Sequence, residues 1–121
     1  MNTCSRKDRT IKTINLKTGM PTVHEAVQLL DRELGRARQS GDPVIKLIHG
    51  YGSSGAGGEV RIAVQRRLIE MAGRGEIRGC IFGEDWTKSD ERAWALINSH
   101  SELKRDPDLG RRNLGITIVV P

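Results

Sequence analysis

Aromatic residues are nearly missing from this chain. Phe, Trp and Tyr make up 3% of its 121 residues, with one Tyr and one Phe. That scarcity argues against a platform that reads single-stranded bases by stacking them in series. Cysteine is rarer still, at Cys4 and Cys80. The pair offers neither metal-site spacing nor a disulfide framework, which fits a reducing compartment. No apolar run approaches the ~20 residues of a membrane span, and Met1 to Lys7 lack an apolar signal core. A cytoplasmic protein with no membrane partner is expected.

Positive charge is what the chain has in excess. Lys and Arg number 20 against 15 Asp and Glu, for a net charge of +5. Such a balance favours polyanionic partners, RNA or DNA, although a solvated basic surface also accounts for it. With 36% hydrophobic and 29% charged residues, the composition is that of an ordinary globular protein. The length fits one domain. Residues 1–9 read as a flexible basic tail (Arg6, Lys7, Arg9), and 10–121 as the domain.

Along the chain, Thr10 to Leu16 predicts a strand through the loose alternation of Ile11, Ile14 and Leu16. Thr22-Val23-His24-Glu25 is a capping box and opens a helix. Its face is Val23, Ala26, Val27, Leu30, Leu34 and Ala37; Gly41 caps its end and Pro43 prevents continuation. Val44 to Ile48 is near-continuously apolar, as in an interior strand covered on both faces. A second helix runs from about Glu59 to Met71, and Ile77 to Phe82 predicts a third strand. Ser89 is the expected cap of a short helix, Asp90 to Ser99, with Ala93, Trp94 and Ile97 inward. Ser101 to Gly115 reads as a long loop, and Ile116 to Val120 as a last, β-branched strand.

Between the second strand and the second helix stands His49-Gly50-Tyr51-Gly52-Ser53-Ser54-Gly55-Ala56-Gly57-Gly58. Five glycines in nine residues let the backbone take positive φ and approach a ligand closely. The helix start that follows presents N–H groups suited to a phosphate. Gly50, Gly52 and Gly55 match a dinucleotide fingerprint in letters. They follow the second strand, however, and Glu84 lies well beyond the ~20 residues at which that fingerprint places its acid. No Gly-Lys-Ser/Thr follows, so a Walker-type loop is excluded.

Strand, capped helix with Glu25-Ala26, strand ending in Ile48-His49-Gly50-Tyr51-Gly52, and arginine-bearing helix follow one another; Gly115-Ile116-Thr117-Ile118-Val119-Val120 closes the pattern. This resembles the small MutS-related (Smr) domain, from about Ile14 to Val120. The resemblance implies a compact two-layer βαβα-type α/β fold with a mixed sheet of about four strands. It also implies nucleic-acid binding, and in several members endonuclease activity on RNA or on branched or nicked DNA. Family members usually end the first strand with Leu-Asp-Leu-His-Gly or Leu-Asp-Leu-Arg-Gly; this chain has Ile14-Asn15-Leu16-Lys17-Thr18-Gly19. Asn15 cannot act as a carboxylate, and Lys17 is a point charge without a planar fork. The resemblance therefore supports binding more than cleavage. The stretch 83–114 looks like an enlarged insertion.

His49 is the candidate catalytic acid or base, since a neutral imidazole can pass protons to a ribose hydroxyl or a leaving oxygen. A strand-end histidine that hydrogen-bonds a neighbouring loop is its bland alternative. The candidate nucleic-acid contacts are Lys17, Gly50, Tyr51, Gly52, Ser53, Ser54, Gly55, Gly57, Gly58, Arg61, Arg66, Arg67, Arg111, Arg112 and Asn113. The arginines are equally well explained as exposed charges. Glu59, Glu84 and Asp85 would bind an ion only if they met at one sheet edge, so no metal and no cofactor is expected. The partner expected is nucleic acid, RNA before DNA, with a ribosome or other nucleoprotein as its setting. A catalytically inactive interaction module and a nucleotide-binding regulatory domain are the alternatives.

Overall fold

The computed structural model describes residues 11–51 and 56–121. The tail expected at 1–9, and Gly52, Ser53, Ser54 and Gly55, lie outside the described residues. Four strands form one sheet: β1 (Lys12–Asn15), β2 (Ile45–Ile48), β3 (Gly79–Phe82) and β4 (Ile116–Val120). Their spatial order is β1-β2-β4-β3. β1 and β2 are parallel, and β4 runs antiparallel to β2 and β3, so the sheet is mixed.

α1 (Val23–Ser40) starts where its capping box says it should. Thr22 Oγ1 accepts the Glu25 N–H at 3.1 Å, and Glu25 Oε1 accepts the Thr22 N–H at 2.9 Å. Gly41, at φ 73°, ends it. α2 (Ala56–Gly73) begins at Ala56 rather than Glu59. Gly57 and Gly58 have poor helix propensity, but Val60, Val64, Leu68 and Met71 are buried and anchor the helix. α3 (Glu91–Ser99) is capped by Asp90, not Ser89: its carboxylate accepts the Arg92 and Ala93 N–H groups at 2.9 and 3.0 Å.

α1 and α2 cover one face of the sheet. Leu30 and Leu34 of α1, with the α2 residues above, pack on Ile14, Leu16, Ile45, Leu47 and Val119. The 83–115 segment covers the other face. Trp86, Ala93, Ile97 and Leu103 pack there on Val44, Ile81, Ile116 and Ile118. Trp94 does not join that core as its neighbours do and is 44% exposed. Ala93 and Ile97 stand four apart and share the inward face; Trp94, one residue on, turns about 100° away.

One charged residue sits inside β2. Lys46 is 6% exposed, on the face covered by 83–115. Its ammonium donates to Asp106 Oδ1 at 2.8 Å and pairs with Asp108 Oδ2. Asp106 Oδ2 accepts the Trp86 indole N–H at 2.9 Å, and Asp108 Oδ1 accepts from Asn113 Nδ2 at 2.9 Å. Burial alone would lower the pKa of Lys46, but the hydrogen bonds and charges of Asp106 and Asp108 outweigh it and hold it above 10.5. Burial likewise opposes ionisation of Asp108, and the Lys46 and Asn113 hydrogen bonds override it and depress its pKa. The loop expected at 101–115 is therefore tied down by buried charge.

Candidate nucleic-acid interface

The strand directions bring the C-terminal ends of β1, β2 and β3 and the N-terminal end of β4 to one end of the sheet. Expected site residues lie on three of the segments that meet there, after β1, after β2 and before β4. Lys17 follows β1. His49 and Gly50 follow β2 and lead to α2. Glu84 follows β3, and Arg111, Arg112 and Asn113 precede β4.

These loops are stitched together by backbone. The Gly115 carbonyl accepts the N–H groups of both His49 (3.0 Å) and Gly50 (3.1 Å). Asn113 Oδ1 accepts the Gly115 N–H at 2.8 Å. A chain of contacts thus runs from Lys46 through Asp108 and Asn113 to the His49-Gly50 backbone. Gly50 sits at φ 75°, a conformation that favours glycine. A Cβ built on it would touch the Lys17 side chain at 3.4 Å, so the lysine stem lies across this glycine. Asn15 Oδ1 accepts the Lys17 N–H at 2.9 Å, which gives Asn15 a turn-forming role. Gly83 has its own reason: a Cβ there would overlap the Asn113 carbonyl.

His49 is 1% exposed. Its Nδ1 lies 2.7 Å from the Gly50 carbonyl and its Nε2 2.9 Å from Thr117 Oγ1. A carbonyl only accepts, so Nδ1 carries the proton and Nε2 accepts from the Thr117 hydroxyl. Burial lowers the histidine's pKa below 6.5; the Gly50 carbonyl pulls it back up, Arg61 pushes it down, and the Ile116 backbone and then Glu84 raise it. The ring is neutral with both nitrogens engaged, in the arrangement of a histidine that fixes a loop to the neighbouring strand.

The arginines divide. Arg61 is half-buried on the first turns of α2, and its Nε has no hydrogen-bond partner among the described residues. Glu84 Oε1 is likewise buried and unpartnered there. Arg66 is exposed further along α2. Arg67 points the other way: it grips Asp31 of α1 through two hydrogen bonds of 3.0 and 3.2 Å, with Glu70 3.6 Å off. Its charge ties α1 to α2 and stands apart from the loop cluster. Tyr51 is 53% exposed beside Gly50, Arg111 and Arg112 are exposed, and Asn113 acts as a loop brace. Gly57 and Gly58 lie in the first turn of α2.

Sequence reasoning missed Thr117 and Lys46, and gave Glu84 no place beside His49. Among the described residues no group of three or more His, Cys, Asp or Glu could hold a metal ion, and no helix is long and apolar enough to cross a membrane. A cleft of about 700 Å³ opens at the opposite end of the sheet, lined by Arg38, Asp42, Arg78 and His100. It touches none of the expected site residues.

No protein-family model matches the chain, and no curated protein matches it. Among solved structures it is similar to the crystal structure of the Smr domain of Thermus thermophilus MutS2. The two share 22% identity at a TM-score of 0.56, over 91% of this chain and 96% of that one. That similarity, with the mixed four-stranded sheet of this chain, shows that the chain has the fold of a Smr domain.

Proposed function

We propose that this end of the sheet binds structured nucleic acid, RNA before DNA, chiefly through its phosphates. The observation that carries the reading is the delivery of Lys17, Arg61 and the Arg111-Arg112 loop to the end of the sheet where Gly50 lies, half-buried, against the Lys17 stem. Three elements distant in sequence deliver cations to one edge, next to a helix N-terminus of favourable dipole. The net charge of +5 and the Smr-type fold support the same partner.

Binding is a better reading than cleavage. General acid–base catalysis needs a nitrogen within reach of the substrate, and both nitrogens of His49 are hydrogen-bonded inside the protein. His49 in this reading is a positioning residue. The test is fluorescence anisotropy of a labelled RNA stem-loop across a salt series. Four phosphate contacts give a log K against log salt slope of about −3 to −4. Lys17→Ala and Arg61→Ala should each flatten the slope by about 0.9. Affinity that barely changes with salt would refute the proposal. Discrete cuts in end-labelled stem-loop RNA, made by wild type and lost in His49→Ala, would replace it with an endonuclease.

A further inference from the structure

Tyr51 is the single tyrosine of a chain very poor in aromatics. Trp86 is used fully in the core, whereas Tyr51 is left 53% exposed directly after Gly50. On the β1 side of the same edge, Met20 is 92% exposed. Met20 is held at φ 50° in a turn closed by its N–H on the Lys17 carbonyl at 3.2 Å. Two large apolar side chains thus stand in solvent near Lys17, whose stem crosses Gly50. Neither supports either core. This end of the sheet therefore carries a cation whose stem crosses Gly50 and, on the next residue, an exposed aromatic ring.

A continuous duplex presents phosphates outward but keeps the faces of its bases stacked. Only an unpaired base offers a π-face to a side chain. Resting on the nucleic-acid reading above, we propose that Tyr51 stacks on an unpaired base whose neighbouring phosphate lies on Lys17, so that this edge prefers nucleic acid carrying an unpaired nucleotide over continuous duplex. One exposed ring is not a stacking platform; it selects a single unpaired position and leaves the rest of the contact to charge.

The test compares two fluorescently labelled RNA hairpins, one with a closed stem and one with the same stem carrying a single-nucleotide bulge. Wild type should bind the bulged hairpin on the order of tenfold more tightly. Tyr51→Ala should weaken the bulged hairpin by about that factor more than the closed one, whereas Tyr51→Phe, which keeps the ring, should retain the preference. Trp94→Ala removes an exposed aromatic from α3, on the other face of the sheet, and should change neither affinity. A Tyr51→Ala variant that keeps the preference, or a Trp94→Ala variant that loses it equally, would overturn the inference while leaving the phosphate reading intact. Wild type that binds neither hairpin at moderate salt would overturn both.

Discussion

Lys46→Met is the most informative perturbation of this fold. The lysine is 6% exposed and compensates two carboxylates at once. Asp106 has a side chain 4% exposed, and Asp108 one 24% exposed. Methionine fills the space of the stem and removes the charge, leaving a buried carboxylate without its counter-ion. Breaking one partner out of a buried pair costs about 3–5 kcal/mol. That is a large share of the ~5–15 kcal/mol that holds a domain of this size together. The assay is urea denaturation at pH 7, read as a shift in midpoint at constant m. The triple variant Lys46→Met, Asp106→Asn, Asp108→Asn should recover much of the loss, because neutral hydrogen-bonding groups are cheaper to bury than an unpaired charge. The pH dependence has a definite sign. The folded pKa of Lys46 is raised, so its contribution is complete below pH 10.5 and disappears as pH climbs through the folded value. That of Asp108 is depressed, so its contribution is present above pH 3.8 and disappears as pH falls through the folded value. In Lys46→Met the deficit should shrink on acidification, because protonation neutralises the orphaned carboxylates. A loss under about 1 kcal/mol, or a triple variant no more stable than the single, would refute the reasoning.

Three further outcomes follow from the same geometry. The unfolded chain protonates His49 near pH 6.5 while the folded state resists, so stability should fall as pH drops below 6.5 by at most about 1.4 kcal/mol per unit, and His49→Gln should lack that component in a urea series across pH. Gly83→Ala should destabilise by about 1–3 kcal/mol in the same denaturation assay, since its Cβ would overlap the Asn113 carbonyl. Arg67→Ala should leave RNA affinity and its salt slope unchanged while costing up to about 1 kcal/mol of stability, because that guanidinium is bound to Asp31; an affinity loss equal to that of Arg61→Ala would put Arg67 at the interface.

Local chemistry was legible in the sequence because its causes are local. Thr22 and Glu25 stand three residues apart and cap each other; Gly41 closes the helix whose start they mark. The apolar run of β2 announced an interior strand, and the order β1-β2-β4-β3 makes it one. The glycines after His49 marked a backbone that had to turn, as Gly50 does. What only the tertiary structure decided is who partners whom. Lys46 reads as a stray cation in an apolar strand until the 83–115 segment folds over it and delivers Asp106, 60 residues away. His49 shows no partner in the sequence, and only the pairing of β4 with β2 brings Thr117, 68 residues on, to its Nε2. Arg67 matches Arg61 and Arg66 in type and helix, and only the packing of α1 on α2 shows Asp31 waiting for it. Propensity and capping act over a few residues, whereas the partner, burial and protonation of a charged side chain depend on which strands become neighbours.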